Sequence, residues 1–391
     1  MYLKSLHLRQ FRNYIDQAVS FHAPKVILVG DNAQGKSNLL EAVELLSTLK
    51  SHRALRDREL IWHPDYQTGT ALPPDIPQPA TSGQIAATLE RQAGTVDLKL
   101  LFRTNGHRAF ALNGENLRKR LDFLGTLNVV QFSSLDLELV RGSPERRRVW
   151  LDTLLTQLEP IYDHLLRQYH QVLRQRNHLL KQLQESSQAS LQSELALWDA
   201  QLVTLGARLI RRRARAIERI APIAQAWHRS ISGAKEILDV RYSPNVRWDG
   251  DSHAEPEQIH QAFFEKIQQR AIAELAQGTS LVGPHRDEVE FTINDTPARQ
   301  YGSQGQQRTL VLALKLAELK LISEVVGESP VLLLDDVLAE LDLTRQNQLL
   351  DAIADRFQTL ITTTHLNAFD AQWLQASQIL SVRSGQIVPA A

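Results

Sequence analysis

The chain has 391 residues with 44 basic and 44 acidic side chains, so its formal net charge is zero and any attraction to nucleic acid must come from local patches. It contains no cysteine, which excludes disulfides, thiolate metal sites and a cysteine nucleophile. Its start lacks the apolar centre of a signal peptide, and no run approaches about 18 apolar residues. We therefore expect a cytoplasmic protein that does not span a membrane.

The first sixty residues predict two strands, an apolar third strand, a glycine-rich loop, a helix at about residues 37–49 and a basic loop. The glycine-rich loop is Gly30-Asp-Asn-Ala-Gln-Gly-Lys-Ser37, which fits G-x-x-x-x-G-K-[ST] and follows the apolar run at once. In this context backbone N–H groups and the helix N-terminus bind phosphates. Lys36 would bridge the β- and γ-phosphates of a nucleotide, and the Ser37 hydroxyl would bind Mg²⁺. The pattern predicts nucleotide binding.

Two more segments of the amino-terminal part have a distinct composition or residue pattern. Residues 71–83 contain four prolines and indicate an exposed, poorly structured insertion. Residues 83–112 alternate between apolar and polar side chains, which predicts an antiparallel meander with turns at Gly106 and Gly114.

A helical segment is predicted from residue 143 onward. Ser143 as N-cap, followed by Pro144 at the first helical position, is typical of a helix start. Apolar residues at steps of three and four then continue to Val172 and resume after a polar stretch. We predict two long helices that form an antiparallel hairpin, the arm (143–230). The alternative is a pair of ordinary core helices in a helical subdomain.

Arginines are clustered at two places. One cluster lies in the loop after the P-loop helix and the other on a helix of the arm region: Arg53, Arg56 and Arg58, and Arg211, Arg212 and Arg213 with Arg208, Arg215 and Arg219 nearby. Arginine binds phosphates without reading base sequence, so both clusters are candidate DNA-binding sites. A solvated face or ion pairs within the protein are the alternatives for each arginine.

After residue 278 the chain returns to short strands, followed by a helix at about 304–326, an apolar strand, another helix and a strand at 359–364. Strands that alternate with helices predict a largely parallel sheet. Both ends of the chain therefore look like parts of one α/β head with the arm inserted between them. The predicted domains are 1–142 and 231–391 for the two lobes of the head and 143–230 for the arm.

Two candidate sites lie in this carboxyl-terminal lobe. Asp335 and Asp336 end the apolar strand; in P-loop enzymes the first acid holds Mg²⁺ and the next polarises the attacking water. Ser303 and Gly305 begin a helix and could form a second anion site, which can meet the phosphate held by Lys36 only from the opposite side. Solvated acids at a strand end and a plain N-cap are the alternative interpretations.

Together these motifs resemble those of the ATP-binding-cassette (ABC) ATPases. Residues 30–37 resemble Walker A, 303–307 the signature motif, Asp335 and Asp336 Walker B, and 340–342 the D-loop. Gln131 resembles the Q-loop glutamine, and His365 resembles the switch histidine. The resemblance implies a P-loop ABC-type ATPase head, an α/β fold with a mixed or parallel sheet and an antiparallel meander. It also implies that the signature motif of one protomer completes the ATP site of another.

A finer resemblance is to the RecF family of bacterial recombinational-repair ATPases, over residues 1 to about 370. It is carried by segments at 8–14, 51–58, 142–148, 283–287 and 332–342. The departures are the proline-rich insertion and Glu288, where Asp is expected. The resemblance implies an ATP-dependent dimer that binds double-stranded DNA near single-strand gaps and works with RecR and RecO in loading RecA. An SMC-like DNA-tethering ATPase and a transporter's ATPase subunit are the rival interpretations.

The resemblance also assigns roles to individual residues. The catalytic candidates are Asp336, Gln131 and His365, and the Mg²⁺ candidates are Ser37, Asp335 and Gln131. The ATP-binding candidates are Gly30, Asp31, Asn32, Ala33, Gln34, Gly35, Lys36, Ser37, Asn38, Ser303, Gly305 and Gln306. We expect weak hydrolysis, because Asp336 is one methylene shorter than the glutamate that is usual in cassette ATPases. The resemblance implies that DNA stimulates it.

Overall fold

The computed structural model describes residues 1–63, 80–185, 189–248, 256–353 and 356–389. Most of the predicted proline-rich insertion, residues 71–79, lies outside the described residues. The chain divides into two compact units: the first is Met1–Asp136 with Glu318–Ala391, and the second is Leu137–Ala317. Within the described ranges, no helix has the length and apolar character needed to cross a bilayer.

The structure contains fifteen strands and ten α-helices in its described residues. The strands are β1 (Tyr2–Phe11), β2 (Tyr14–Ser20), β3 (Lys25–Val29), β4 (Ser82–Arg91), β5 (Gly94–Arg103), β6 (Arg108–Leu112), β7 (Glu115–Leu117), β8 (Val129–Ser133), β9 (Leu238–Ser243), β10 (Glu288–Ile293), β11 (Thr296–Pro297), β12 (Val331–Asp335), β13 (Thr359–Thr363), β14 (Ser377–Arg383) and β15 (Gln386–Pro389). The helices are Lys36–Thr48, Glu138–Arg141, Pro144–Leu158, Ile161–Glu185, Ala189–Ile231, Pro256–Gln277, Ala298–Tyr301, Gln304–Val326, Leu343–Ile353 and Ala371–Gln375.

The first unit contains a six-stranded sheet in the order β15-β14-β3-β13-β12-β8. All neighbours are parallel except β14 and β15, so the predicted largely parallel sheet built from both ends of the chain is confirmed. β3, β13 and β12 are almost wholly buried, as expected for parallel strands covered on both faces. Their carboxyl ends meet at one edge, which brings together three segments that are far apart in sequence.

An antiparallel sheet in the order β2-β1-β4-β5-β6-β7 completes the first unit. The predicted meander is confirmed, and both turn glycines have positive φ, 81° at Gly106 and 83° at Gly114. Helix Lys36–Thr48 contacts β5 of this sheet and β8, β12 and β13 of the other. Buried apolar residues of the helix and of both sheets form one core cluster, so the helix that follows the P-loop is held from two sides. The sequence patterns did not predict β7, β14 or β15.

The second unit differs from the predicted arm in one helix. The long helix predicted from residue 143 is two helices, Pro144–Leu158 and Ile161–Glu185. Pro160 lacks a backbone N–H and disfavours helical backbone in the residue before it, and Glu159 is indeed extended, with φ −138° and ψ 90°. The apolar spacing continues across the break, so the periodicity did not reveal it.

Helices Ile161–Glu185 and Ala189–Ile231 form the antiparallel pair that the sequence predicts. Arg176 contacts Asp199, whereas the earlier Tyr162 contacts the later Arg213, as antiparallel neighbours require. The second unit extends beyond the predicted limits of the arm at 143 and 230, because it also contains helix Pro256–Gln277 and the sheet β11-β10-β9. Helix Pro256–Gln277 and β9 of this sheet both contact helix Ala189–Ile231.

Candidate nucleotide site

The predicted P-loop lies between the end of β3 and the start of helix Lys36–Thr48. Its glycines are required by close packing: a Cβ at Gly30 would lie 2.3 Å from the Val382 carbonyl oxygen, and Gly35 has a φ of 120°. The Lys36 ammonium donates to the carbonyls of Gly30 at 2.7 Å and Asp31 at 2.9 Å. The loop therefore folds around its own lysine, with the ammonium at its centre.

Ser37 and Asp335 meet at the carboxyl edge of the parallel sheet, although they are 298 residues apart in the chain. The Ser37 hydroxyl donates to Asp335 Oδ1 at 2.7 Å, and the Thr362 hydroxyl donates to the same oxygen at 2.8 Å. A hydroxyl and a carboxylate are the hard oxygen ligands that Mg²⁺ prefers, so these residues fit the ion. Thr362 is a member of this site that the sequence did not single out.

Asp336 follows at once and has a left-handed backbone, with a φ of 54°. Its backbone N–H donates to the Thr362 hydroxyl at 2.9 Å, which holds the turn that separates its side chain from that of Asp335. Burial raises the pKa of the Asp336 carboxyl above its ordinary value; Lys36 opposes this rise and Asp335 adds to it. The carboxyl therefore accepts a proton more readily than an exposed aspartate does.

Gln131 lies inside β8 rather than in a loop after it. The register pairs Gln131 with Leu333 and pairs Ser133 with Asp335, so Gln131 lies about 7 Å below the edge where Asp335 ends its strand. With its amide nitrogen facing the helix, Gln131 donates to both oxygens of the half-buried Glu44, at 3.1 and 3.2 Å. The hydrogen bonds of the described residues thus join Gln131 to Glu44 and not to Ser37 or Asp335.

His365 follows β13, which lies between β3 and β12 in the sheet. It is exposed, and its backbone N–H and carbonyl both pair with the hydroxyl of Thr363, at 3.3 and 2.8 Å. His365 thus lies at the carboxyl edge of the sheet, and its role as a switch histidine stays a prediction.

The predicted signature segment belongs to the second unit and starts helix Gln304–Val326. The Ser303 hydroxyl accepts from the backbone N–H of Gln306 at 3.2 Å, and the Gln306 side chain accepts from the backbone N–H of Ser303 at 2.8 Å. This reciprocal pair is a capping box. Ser303 is exposed, and Gln306 also donates to Glu236 at 3.0 Å. The cap that was the alternative interpretation is present, and it leaves the Ser303 side chain at the surface.

Asn38, at the start of the P-loop helix, connects to the first arginine cluster. Its Oδ1 accepts from Arg53 at 2.9 Å, and its Nδ2 donates to Asn13 Oδ1 at 2.8 Å. Arg53, Arg56 and Arg58 are all exposed. Within the residues that the structure describes, the side chains of Arg56 and Arg58 make no hydrogen bond or ion pair.

The second arginine cluster does not form the exposed surface that the sequence predicted. The Arg213 side chain is 3% exposed and pairs with Asp152 at 2.9 Å and Asp287 at 3.0 Å, so its assignment to DNA binding is corrected. Arg212 pairs with Glu159 at 3.0 Å, and Arg211 is half-buried. The helix turns one face of this run toward the protein interior, where the acids of neighbouring elements meet it.

Comparisons with known proteins show the family to which the chain belongs. Residues 2–387 match the family described as RecF/RecN/SMC N terminal domain. The DNA replication and repair protein RecF of Nostoc punctiforme (strain ATCC 29133 / PCC 73102) is 68% identical over 390 residues, which cover 100% of both chains. The protein of the same name from Trichormus variabilis (strain ATCC 29413 / PCC 7937) is 66% identical and covers 99% of this chain and 98% of its own.

Solved structures extend the likeness to the fold. Two structures of the recombination mediator protein RecF in the RecFOR pathway, RecF-ATP and RecF-ATPrS, are 30% identical, with a TM-score of 0.88 over 100% of this chain and 98% of theirs. An SMC head bound to the C-winged helix domain of ScpA is 16% identical, with a TM-score of 0.56 over 100% of this chain and 98% of its own, which shows a shared fold alone.

Proposed function

The chain belongs to the RecF family of DNA replication and repair proteins, and we propose that it is an ATP-gated dimer that binds double-stranded DNA near single-strand gaps. Membership makes it a DNA replication and repair protein with an ABC-type ATPase head. The observation that carries the nucleotide part of the proposal is the 2.7 Å contact between Ser37 and Asp335, because it joins the Walker A and Walker B residues at one point.

The phosphates bind to the backbone N–H groups of residues 31–37 and to the Lys36 ammonium. Ser37 and Asp335 would hold Mg²⁺, which would neutralise charge on the phosphates. Asp336 accepts a proton from water as the water oxygen attacks the γ-phosphorus. The bond from that phosphorus to the bridging oxygen breaks, and ADP leaves with the electron pair. His365 orients the γ-phosphate from the same sheet edge, and Gln131 takes part only if its amide leaves Glu44.

The second half of the site comes from another copy of the chain. Ser303, Gly305 and Gln306 of one protomer meet the γ-phosphate that is bound to Lys36 of its partner. The support for this role is the resemblance of residues 303–307 to the signature motif, together with the exposed position of Ser303 at the start of its helix. ATP then joins two heads, and hydrolysis separates them.

The DNA contacts proposed here come from the loop that carries Arg53, Arg56 and Arg58, whose side chains are exposed. Phosphate binding at this loop stimulates a weak ATPase. RecR and RecO are the proposed partners in loading RecA; the support is the family's motifs and the related RecF structures, which are described as belonging to the RecFOR pathway. The SMC-like tether remains the rival, and helix Ile161–Glu185, at 25 residues or about 38 Å, is short for such a role.

Two substitutions test the nucleotide site. Lys36→Ala should abolish tight ATP binding, because no other P-loop cation neutralises the phosphates. Asp336→Asn should bind ATP, fail to hydrolyse it and accumulate dimers, which sedimentation with ATP would detect. Lys50→Ala, at an exposed lysine just past the same helix, is the matched control. Stalled dimers from Lys36→Ala would show that the residues have been assigned to the wrong roles.

A series at Ser303 tests the shared site without disturbing the helix cap. Ser303→Thr keeps a hydroxyl and should dimerise normally with ATP. Ser303→Asp keeps a good N-cap but places a carboxylate against the partner's γ-phosphate, so ATP should bind the monomer and fail to join two heads. Normal ATP-dependent dimers from Ser303→Asp would show that Ser303 only caps its helix and does not complete the partner's ATP site.

A further inference from the structure

Gln34, the residue before the second P-loop glycine, is held from outside the loop by two turns. Its carbonyl accepts from Asn13 Nδ2 at 2.9 Å and from the backbone N–H of Gly385 at 3.0 Å. Its side-chain oxygen accepts from the backbone N–H of Ser384 at 2.7 Å. Asn13 lies between β1 and β2, and residues 384 and 385 lie between β14 and β15.

The next peptide is held by the P-loop helix and by a side chain from outside it. The carbonyl of Gly35 accepts from the backbone N–H of Leu39 at 3.1 Å and from the buried Tyr14 hydroxyl at 3.0 Å. Arg12, on the other side of Asn13, donates through two nitrogens to the buried Glu41 of the P-loop helix, at 2.6 and 2.8 Å. Three consecutive residues, 12–14, therefore form hydrogen bonds with the P-loop or its helix.

Close packing around Asn13 leaves no space for a side chain at Gly35 or Gly385. A Cβ at Gly35 would lie 2.7 Å from Asn13 Nδ2, and a Cβ at Gly385 would lie 2.2 Å from the Asn13 carbonyl oxygen. Gly385 also has a φ of 75°, which favours glycine. Both glycines thus allow Asn13 to reach the loop.

The orientation of the Asn13 amide follows from its neighbours. Its Oδ1 accepts from Asn38 Nδ2 at 2.8 Å, so its Nδ2 is the end that meets the Gln34 carbonyl. In a planar trans peptide the C=O and the following N–H point in opposite directions. Donors that hold the carbonyls of Gln34 and Gly35 outward therefore turn the N–H groups of Gly35 and Lys36 inward, toward the anion.

We infer that Asn13, with Tyr14 and the turn at 384–385, is a positioning residue that presets two peptide planes of the P-loop for a nucleotide polyphosphate. The inference rests on the proposed ATP site and adds a determinant outside the Walker motifs. Groups oriented before the ligand arrives spare binding the cost of ordering them. Because the planes serve phosphates that ATP and ADP share, the effect falls on both nucleotides.

The test compares Asn13→Ala with Asn113→Ala. Asn113 is a matched control, because it also lies in a turn of the antiparallel sheet and bridges through its amide, accepting from the backbone N–H of Asp97 at 2.9 Å. Titration calorimetry with ATP and with ADP should show about a tenfold weaker Kd for Asn13→Ala, roughly the loss of one oriented contact of 1.4 kcal/mol. Asn113→Ala should lower the melting temperature without a change in either Kd.

Two further variants keep the result interpretable. Tyr14→Phe removes one hydroxyl and should weaken the binding of ATP and ADP to the same extent. Asn13→Asp should weaken the binding of both at least as much as Asn13→Ala does, because a carboxylate then faces the Gln34 carbonyl. An unchanged Kd in Asn13→Ala and Tyr14→Phe, together with a lower melting temperature, would overturn the inference and leave the turn structural. Failure of the unaltered protein to bind ATP would instead refute the proposed function.

Discussion

Two groups of three arginines, one in each unit, look alike in the sequence and have opposite environments in the structure. Arg53, Arg56 and Arg58 lie exposed on a loop of the first unit. In the second unit, Arg213 lies between two aspartates with a side chain that is 3% exposed, and Arg212 pairs with Glu159. A loop presents successive side chains to solvent, whereas a helix turns a fixed fraction of them inward. A basic run in a sequence therefore indicates charge but not its availability.

The largest expected effect is on the stability of the second unit. Arg213→Ala leaves the buried Asp152 and Asp287 without their cation, which should cost about 3–5 kcal/mol of unfolding free energy. Urea denaturation measures it, and Arg215→Ala, at an exposed position on the same helix, should change little. Similar stabilities for the two variants would break the contrast between the clusters.

The next effect concerns the exposed loop and the salt dependence of DNA binding. Replacing Arg53, Arg56 and Arg58 together by alanine should reduce the slope of log K against log salt by about 0.9 per lost phosphate contact. The melting temperature should fall only slightly, because the substitutions remove the exposed hydrogen bond between Arg53 and Asn38. The matched control replaces the exposed Arg208, Arg215 and Arg219 of the second unit. If only that control flattened the slope, the DNA surface would lie on the second unit.

A smaller effect concerns the stability of the second unit as a function of pH. Burial lowers the pKa of His285, near the Arg213 pairs, to about 4. The unfolded chain then binds this proton more readily, so stability from His285 is present above about pH 6.5 and falls as the pH drops toward 4. The difference in melting temperature between the unaltered protein and His285→Gln, scanned from pH 7 to 4, should follow this window. A constant difference would show that the folded protein does not lower the pKa of His285.

The smallest effect is expected at Arg212. Its pair with Glu159 is one-third to one-half exposed, so Arg212→Ala should cost at most about 1 kcal/mol and leave the salt slope unchanged. A double-mutant cycle with Glu159→Ala measures the pair itself. A coupling as large as the loss in Arg213→Ala would show that exposure does not govern these arginines.

The sequence predicts best where function depends on contiguous residues. The P-loop and the acids at the end of β12 follow apolar strands, and the parallel sheet brings them together because such strands share one carboxyl edge. The meander and the helix at 304–326 also follow from local patterns, and both are confirmed.

The sequence predicts worst where a distant partner decides the outcome. The acids that surround Arg213 come from residues 152 and 287, and Glu44 engages Gln131 from another element. Asn13 lies in the segment 8–14 that carries part of the family resemblance, but its contact with Gln34 depends on how two turns meet. Pro160 is the exception, because its effect is local and the apolar periodicity obscured it.

The order of strands in the parallel sheet has a consequence for synthesis on the ribosome. In the described part of the chain β3, which precedes the P-loop, pairs with β13 and β14, that is, with residues 359–363 and 377–381. A nascent chain of three hundred residues would contain the whole P-loop sequence and neither neighbour of its strand. Pairing over such separations is slow, because a long loop must close first. The apolar strand at residues 25–29 therefore stays unpaired until most of the protein has emerged. During this period its exposed apolar side chains can be bound by a chaperone.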